Sequence, residues 1–287
     1  MDGMRDKIIL NIKQIQNKYL YCRESILATI CRFYKKDYQV MLHGLWTFDF
    51  SADESGKLGS RIKLDSFCLE DKMERLCGVS VIHNTCQDKE SFFGFVKSEL
   101  AKGSPVAVQM NCKYWPWSNE NDKRQEYFFP FLVVGFDMEK DIVYLLDIHV
   151  NKNINQISVN NFLEGMVYSE GAESYEPSRY KGEDVSISCL LERDMKAVFK
   201  SVSHVNSFVA MRAFVHALAS GIKFEAECED RKDILESDLY NNLTDVCRSR
   251  EMYSLFLRYA GEKYNLKLVE IADNLSGIAT DWANLRS

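Results

Sequence analysis

Apolar residues recur at helical spacing near the start of the chain. In residues 23–35, the side chains of Ile26, Ile30 and Phe33 fall on one face, which predicts an amphipathic helix that begins directly after Cys22. Two further helices are predicted, over residues 65–76 and 89–102. The pattern therefore predicts that Cys22 stands at the N-terminus of a helix.

Short β-branched and aromatic runs replace the helical pattern from Val106 onward. The predicted strands cover residues 106–110, 131–136, 142–146, 156–159 and 185–191. A turn over residues 137–141 joins two of these strands into a hairpin. We expect the strands to form an antiparallel sheet, and we interpret the polar, glycine-containing residues 169–184 as an exposed loop.

Helical patterns return near Glu192 and continue to the last residues. An apolar stripe opens this part of the chain, formed by Met195, Val198, Phe199 and Val202. Further helices are predicted over residues 206–220, 232–249, 251–263 and 266–285. The elements together predict an α+β fold with two domains, one over residues 1–191 that holds the sheet and an all-helical one over residues 192–287.

Composition and charge narrow the function classes. With 46% hydrophobic residues in 287, the chain can bury a large core. The net charge of -6 is spread along the chain and leaves no basic patch for nucleic acid. We find neither a signal peptide nor a membrane-spanning stretch. We expect no cofactor, no metal and no membrane, with small molecules or proteins as partners and a homo-oligomer left open.

The nine cysteines lie at irregular spacings and include no CxxC pair. This pattern favours free thiols in a reducing cytoplasm over a disulfide framework or a zinc site. Cys22 stands apart, because the N–H groups and dipole of a helix N-terminus favour a thiolate. The alternative is that Cys22 is a small buried apolar residue.

The order of the predicted elements favours the interpretation of Cys22 as a nucleophile over that of a buried apolar residue. A cysteine and its helix come first, a sheet follows, and the acidic Asp147 closes a hairpin strand, an order shared by papain-like folds. Several short segments also occur in a family-typical order, at residues 22–28, 33–34, 43–45, 48–50, 103–108, 133–137, 143–147, 250–257 and 278–282. With these segments the chain resembles the butirosin biosynthesis protein H family over nearly its whole length.

The resemblance implies a papain-like cysteine-nucleophile domain, similar also to bacteriocin-processing peptidases, followed by a helical domain. It implies acyl transfer from the phosphopantetheine thioester of an acyl or peptidyl carrier protein onto a small-molecule amine, in the biosynthesis of natural products. Matching positions imply Cys22 as nucleophile and Asp147 as the residue that orients the base. Gln16 lies at the offset of a papain-like oxyanion-hole glutamine; alternatively it is a solvated helix residue.

The chain departs from the family at the catalytic histidine. Residues 126–130 read EYFFP where the family has a histidine ahead of its apolar strand. Without that base, a thiol with a pKa of about 8.5 is only a few per cent ionised at neutral pH. His149 is a candidate substitute, because two residues after Asp147 it would share a strand face with that carboxylate.

The other histidines are interpreted as structural. His43 follows the first helix in an apolar run and is expected to form hydrogen bonds within the protein. His83 ends a predicted strand and is interpreted as remote from the catalytic pattern. His204 and His216 lie in the helical half, where surface or packing roles are expected. The phenol of Tyr127 is a poor base at neutral pH because its ordinary pKa is about 10.

An aromatic cluster precedes the missing histidine. Trp115 and Trp117 leave a predicted strand, and Tyr127 and Phe129 come shortly afterwards, so that these rings would wall a substrate pocket. Alternatively, the tryptophans cap the hydrophobic core. Three functions stay open: an acyltransferase that uses Cys22, a catalytically inactive pseudoenzyme that binds a carrier or a partner enzyme, and a cysteine amidase or protease.

Overall fold

The computed structural model describes most of the chain. It covers residues 6–51, 57–64, 68–117, 127–148, 154–167, 171–178, 185–199, 206–220, 227–228 and 234–286. The chain divides into two compact units: unit 1 consists of Met1–Tyr38 and Leu69–Glu183, and unit 2 of Gln39–Cys68 and Asp184–Ser287. The expected division at residue 191 lies near the last of these boundaries. Residues 39–68, however, were expected in the N-terminal domain and belong to the helical unit.

Unit 1 begins with a short strand, β1 (Lys7–Ile9), and the helix α1 (Cys22–Phe33). Ile26 and Ile30 on α1 are fully buried, as their helical spacing predicts. The helix begins at Cys22, so the predicted position of this cysteine is confirmed. A second helix, α2 (Leu69–Lys72), continues as a π-helical turn (Met73–Cys77), where residues 65–76 were predicted to be helical.

Unit 1 also contains a seven-stranded antiparallel sheet. Besides β1, its strands are β4 (Val79–Asn84), β5 (Val106–Asn111), β6 (Phe128–Asp137), β7 (Ile142–Leu146), β8 (Ile154–Ser158) and β9 (Ala172–Pro177). Their order is β4-β9-β5-β6-β7-β8, and β1 pairs with β6. Two helices accompany the sheet, α3 (Lys89–Ala101) and α4 (Val159–Gly165).

The β6–β7 hairpin forms where the apolar runs predicted it. Asp141 takes a left-handed conformation in the turn, with φ of 57°. The register shifts between Val133 and Gly135. Gly135 lies opposite Ile9 of β1, and a Cβ atom at Gly135 would stand 2.4 Å from the carbonyl oxygen of Ile8. The glycine therefore permits the close pairing of β1 with β6.

Strand β9 corrects the interpretation of residues 169–184 as an exposed loop. Gly171, with φ of 81°, precedes a strand that lies between β4 and β5. Ala172, Ser174 and Tyr175 of this strand are buried. The local sequence is polar and glycine-containing, so its strand character depends on pairing with partners far away in the chain.

The predicted strand over residues 185–191 is also wrong, because this segment belongs to a helix, α5 (Ile187–Phe199). The buried positions Ile187, Leu190, Asp194 and Val198 repeat at helical spacing. A short apolar run by itself does not distinguish a strand from a buried helical turn. Of the predicted apolar stripe, Val198 is buried, whereas Met195 and Phe199 are exposed and Val202 lies outside the described residues.

Besides α5, the described part of unit 2 contains the helices α6 (Ser207–Ala219), α7 (Asp238–Tyr264) and α8 (Val269–Arg286). The same unit contains a two-stranded antiparallel sheet, formed by β2 (Asp49–Phe50) and β3 (Ile62–Lys63). Phe48, Phe50 and Phe214 pack together in the core of this unit. Within the described segments, no helix combines the length and the apolar character needed to cross a membrane.

Helix α7 runs through the predicted break at residue 250. Arg250 is fully buried, and its Nη1 donates to the carbonyl oxygens of Leu45 and Thr47. Its guanidinium also lies 4.6 Å from the ring centre of Trp46. Charged side chains on helices are usually exposed. The buried guanidinium of Arg250 instead connects α7 to residues 45–47 of the same unit.

All nine cysteines are free thiols, as their spacing predicts. Cys31 on α1 and Cys77 at the end of the π-helical turn are both buried. A hydrogen bond to Cys77, together with burial, raises the pKa of the Cys31 thiol. The Cys31 thiol is therefore held neutral, in contrast to the thiolate that the position of Cys22 favours.

Candidate functional site

A cleft of about 480 Å³ opens at the N-terminal end of α1 in unit 1. Neighbouring strands of the sheet supply its other walls, because β4, β9, β5 and β6 follow one another in the sheet. The residues that line it are Tyr21, Cys22, Arg23, Glu24, His83, Asn84, Thr85, Ala107, Val108, Gln109, Pro130, Gly171, Ala172 and Glu173. We call this cavity the Cys22 cleft.

Cys22 is the first residue of α1 and is half-buried in the wall of the cleft. The N-cap residue Tyr21 makes no side-chain hydrogen bond to the first turn. The first intrahelical bond of this turn runs from the backbone N–H of Ser25 to the carbonyl oxygen of Tyr21. The preceding N–H groups therefore lie at the helix end beside the thiol, where they favour a negative charge.

Arg23, the next residue, connects two carboxylates at the cleft. Its Nη2 donates to Glu70 Oε1, and its Nη1 donates to Glu173 Oε2. Burial by itself would raise the pKa of Glu70, but the hydrogen bond and charge of Arg23, helped by His83, hold this pKa below its usual value of 4.5. The hydroxyl of Tyr175 also donates to Glu173, at 3.0 Å.

His83 lies in the same cleft as Cys22, which corrects its interpretation as remote from the catalytic pattern. Its Nε2 stands 3.2 Å from Glu70 Oε2, and its Nδ1 stands 3.4 Å from Glu173 Oε1. Both ring nitrogens therefore face carboxylates, and His83 belongs to the same cluster of charged side chains as Arg23.

Glu70, His83 and Glu173 also meet the geometric condition for a metal site, with ligand atoms within 4.8 Å of one another. Arg23 already donates to both glutamates, however. A metal ion at this place would have to compete with the guanidinium for the same carboxylates and would be repelled by its charge. We therefore assign these side chains to an ion-pair network.

Asp147, the expected orienting residue, is 1% exposed at the end of β7. Its Oδ2 accepts a hydrogen bond of 2.9 Å from Nε1 of Trp117. At the place where the sequence resemblance implies a histidine, Phe128 and Phe129 begin β6 and pair with β5, and Pro130 lies opposite Gln109. An indole therefore contacts the carboxylate that the resemblance assigned to a histidine.

Neither Asp147 nor Gln16 belongs to the lining of the Cys22 cleft. Gln16 is exposed, and its amide nitrogen donates to Gln14 Oε1 at 3.4 Å. Gln14 in turn donates to the carbonyl oxygen of Ile148. His149 lies outside the described residues, so its role stays a prediction.

Three of the aromatic candidates, Trp115, Trp117 and Phe129, belong to the hydrophobic core of unit 1 or pack against it. Trp115 is 4% exposed and belongs to the core under the sheet, where its ring centre lies 4.5 Å from that of Phe131. Trp117 stacks on Trp115, and the ring centre of Phe129 lies 5.4 Å from that of Trp115. Tyr127 is half-exposed. Among the described lining residues of the cleft, none of the four expected substrate-binding side chains occurs.

The other described histidines lie in unit 2. Nδ1 of His43 stands 3.0 Å from Oδ1 of the buried Asp194, so the expected structural hydrogen bond is confirmed. His216 is exposed on α6, and its Nδ1 lies 3.4 Å from the hydroxyl of Ser220. His204 falls outside the described residues.

Comparison with known protein families finds no family model that matches the chain, and comparison with curated proteins finds no match either. Among solved structures, the chain is similar to a Bacillus anthracis protein described as a C39-like peptidase. The two are 17% identical, and the match covers 59% of this chain and 97% of the other, with a TM-score of 0.37. A likeness at this level carries no conclusion about function.

Proposed function

We propose that unit 1 is a papain-like acyl-transfer domain in which Cys22 takes up an acyl group from a thioester. The proposal rests on the placement of a half-buried thiol at the first residue of α1, in the wall of a cleft of about 480 Å³. The donor we propose is the phosphopantetheine thioester of an acyl or peptidyl carrier protein. The acceptor is a small-molecule amine.

The proposed reaction has two steps. The Cys22 thiolate attacks the thioester carbonyl, an Sγ–C bond forms, the donor C–S bond breaks, and the donor leaves as a thiolate that takes from water the proton that Cys22 gave up. The neutral amine then attacks the acyl-Cys22 thioester, a C–N bond forms, the Sγ–C bond breaks, and the proton lost by the nitrogen balances the one taken up by the released thiolate. In both steps the oxyanion can accept hydrogen bonds from backbone N–H groups at the start of α1.

A thioester donor suits this cleft better than an amide. An amine leaving group must be protonated as it departs, whereas a thiolate is a good leaving group without help from an acid. His83 is the histidine of the described cleft, and both of its ring nitrogens face carboxylates. The amidase or protease alternative is for this reason the least supported of the three.

One contact favours a second candidate, a pseudoenzyme that binds a carrier or a partner enzyme without chemistry. The hydrogen bond from Trp117 to Asp147 uses an oxygen of the carboxylate that would orient a catalytic histidine. A binding cleft needs no such histidine. The two candidates differ in one observable, which is the formation of an acyl adduct on Cys22.

Intact-mass spectrometry tests the proposal. The full chain is incubated with S-acyl phosphopantetheine of several acyl lengths, and we expect one acyl adduct that hydroxylamine removes. The adduct is lost in Cys22→Ala and kept in Cys68→Ala, a matched control because Cys68 is the more exposed thiol. An adduct that survives Cys22→Ala, or none with any donor, overturns acyl transfer and leaves the binding candidate.

A further inference from the structure

Strand β5 forms part of the wall of the Cys22 cleft, and its alternation decides which of its side chains lie there. Val106, Val108 and Met110 of this strand belong to the hydrophobic core of unit 1. Because successive side chains of a strand point to opposite faces, Ala107 and Gln109 lie on the other face, and both line the cleft. Gln109 therefore brings a polar side chain to the cavity of Cys22.

The neighbours of Gln109 in the sheet are also residues of the cleft. Glu173 of β9 lies opposite Ala107 of β5 on one side and opposite His83 of β4 on the other. Gln109 itself lies opposite Pro130 of β6, at the place where the sequence resemblance implies a histidine. Residues directly opposite one another in an antiparallel pair share a face of the sheet. Gln109 thus belongs to the same sheet face as the ion-pair network.

Two side-chain amides line the described part of the cleft, and they differ in their hydrogen bonds. Nδ2 of Asn84 donates to the carbonyl oxygen of Ile82 at 2.9 Å and to the hydroxyl of Ser174 at 3.2 Å. Gln109 is half-buried, and its side-chain amide forms no hydrogen bond with any residue that the structure describes. The protein therefore holds the amide of Asn84, whereas the amide of Gln109 is available to a ligand.

We infer that the side-chain amide of Gln109 binds an amide group of the pantetheine arm of the thioester donor. A carboxamide both donates and accepts hydrogen bonds, so it complements a secondary amide, which does the same. In pantetheine a short ethylene link joins the sulfur to the first amide nitrogen. A thioester that reaches Cys22 therefore brings this amide into the same cleft. The inference rests on the proposed function for the identity of its ligand, but it requires no chemistry at Cys22.

Isothermal titration calorimetry of the full chain with S-hexyl pantetheine tests the contact. This thioether keeps the amides of the arm and has no acyl carbonyl, so it forms no adduct with Cys22. Gln109→Met keeps the length of the side chain and removes its hydrogen-bonding groups, and we expect the dissociation constant to rise about five-fold. Gln156→Met is the matched control and should leave the affinity unchanged, because Gln156 is exposed on β8 outside the lining. No binding to the original chain, an unchanged affinity in Gln109→Met, or equal losses in both variants overturns the inference.

Acylation rates separate this inference from the proposed function. Intact-mass time courses compare S-hexanoyl pantetheine with S-hexanoyl propanethiol, a donor without an amide. We expect Gln109→Met to slow the pantetheine donor about five-fold and to leave the propanethiol donor unchanged. An equal slowing of both donors would indicate a structural defect and overturn the amide contact.

The two proposals can fail separately. If the original chain is acylated on Cys22 and Gln109→Met has no selective effect, the amide contact is wrong and acyl transfer stands. If neither donor gives an adduct and Gln109→Met still weakens binding of the thioether, acyl transfer is wrong and the amide contact stands. Circular dichroism checks that each variant folds.

Discussion

The indole Nε1 of Trp117 donates a hydrogen bond of 2.9 Å to Oδ2 of Asp147, a carboxylate that is 1% exposed. The sequence presents the missing histidine and the aromatic cluster as two separate peculiarities. This contact joins them, because a member of the cluster binds the carboxylate that a histidine would need. Asp147 therefore has a hydrogen-bond donor from an aromatic side chain of the same unit.

Trp117→Phe removes that donor while keeping an aromatic ring. We expect the free energy of unfolding to fall by about 1–3 kcal/mol, because a buried carboxylate loses a hydrogen bond. Urea unfolding of Trp117→Phe, Asp147→Asn and the double variant gives the coupling between the two side chains. Losses that add to within about 0.5 kcal/mol would mean that the contact contributes nothing of its own.

Cys22 should react with iodoacetamide several-fold faster than Cys68 at neutral pH, although Cys22 is the less exposed of the two thiols. The physical reason is the position of Cys22 at the start of α1, where N–H groups and the helix dipole favour the thiolate that alkylates. A time course followed by peptide mass spectrometry measures both rates in one sample. If Cys68 reacts faster, the helix end does not activate Cys22.

Arg23→Gln should destabilise the protein and change its response to acid. The substitution leaves the carboxylates of Glu70 and Glu173, 35% and 21% exposed, without their cation, so we expect a loss of about 1–3 kcal/mol at neutral pH, between the values for exposed and buried pairs. The pKa of Glu70 lies below its usual 4.5 in the folded chain. Its contribution is therefore present above about pH 4.5 and is lost as the pH falls through the folded pKa.

Lys196→Gln is the matched control for Arg23→Gln. Lys196 and Glu192 form an ion pair on α5, and their side chains are 67% and 65% exposed. Because water screens such a pair, we expect a much smaller loss of stability than in Arg23→Gln. Urea midpoints of both variants are measured across the acid range. The same loss in both, or an acid response of Arg23→Gln identical to that of the original chain, contradicts the assignment of an ion-pair network at the cleft.

Gly135→Ala should separate β1 from β6, because the new Cβ would stand 2.4 Å from the carbonyl oxygen of Ile8. We expect a loss of about 1–3 kcal/mol from this overpacking. Gly94→Ala on α3 is the control with the opposite sign. No atom lies within 4 Å of a Cβ at Gly94, so alanine should stabilise the helix by about 0.5–1 kcal/mol. Thermal unfolding measures both variants, and a loss in Gly94→Ala similar to that in Gly135→Ala would exclude a specific clash at β1.

Local periodicity was sufficient to predict much of the fold. The helix that begins at Cys22 and the β6–β7 hairpin both follow from signals within about a dozen residues, namely one apolar face in the helix and two apolar runs around a turn. The free cysteines and the α+β class follow from spacing and composition in the same way. Such features need no distant partner.

Three other features depended on distant partners. Residues 187–191 are helical because their buried positions share the helical spacing of the buried positions later in α5. Strand β9 forms because β4 and β5 pair with it on either side. The position of β9 also brought Glu173 to His83 and carried His83 into the cleft of Cys22. No signal within a short window indicates such pairings.

The sequence by itself determined where the thiol stands and that residues 126–130 hold no histidine, because both are local properties of the chain. Only the tertiary structure decided what surrounds the thiol. Glu70, His83 and Glu173 come from three separate segments, and sheet pairing together with the charge of Arg23 brings them together. The position of Cys22 at a helix start is thus a sequence property, whereas its electrostatic environment is a property of the fold.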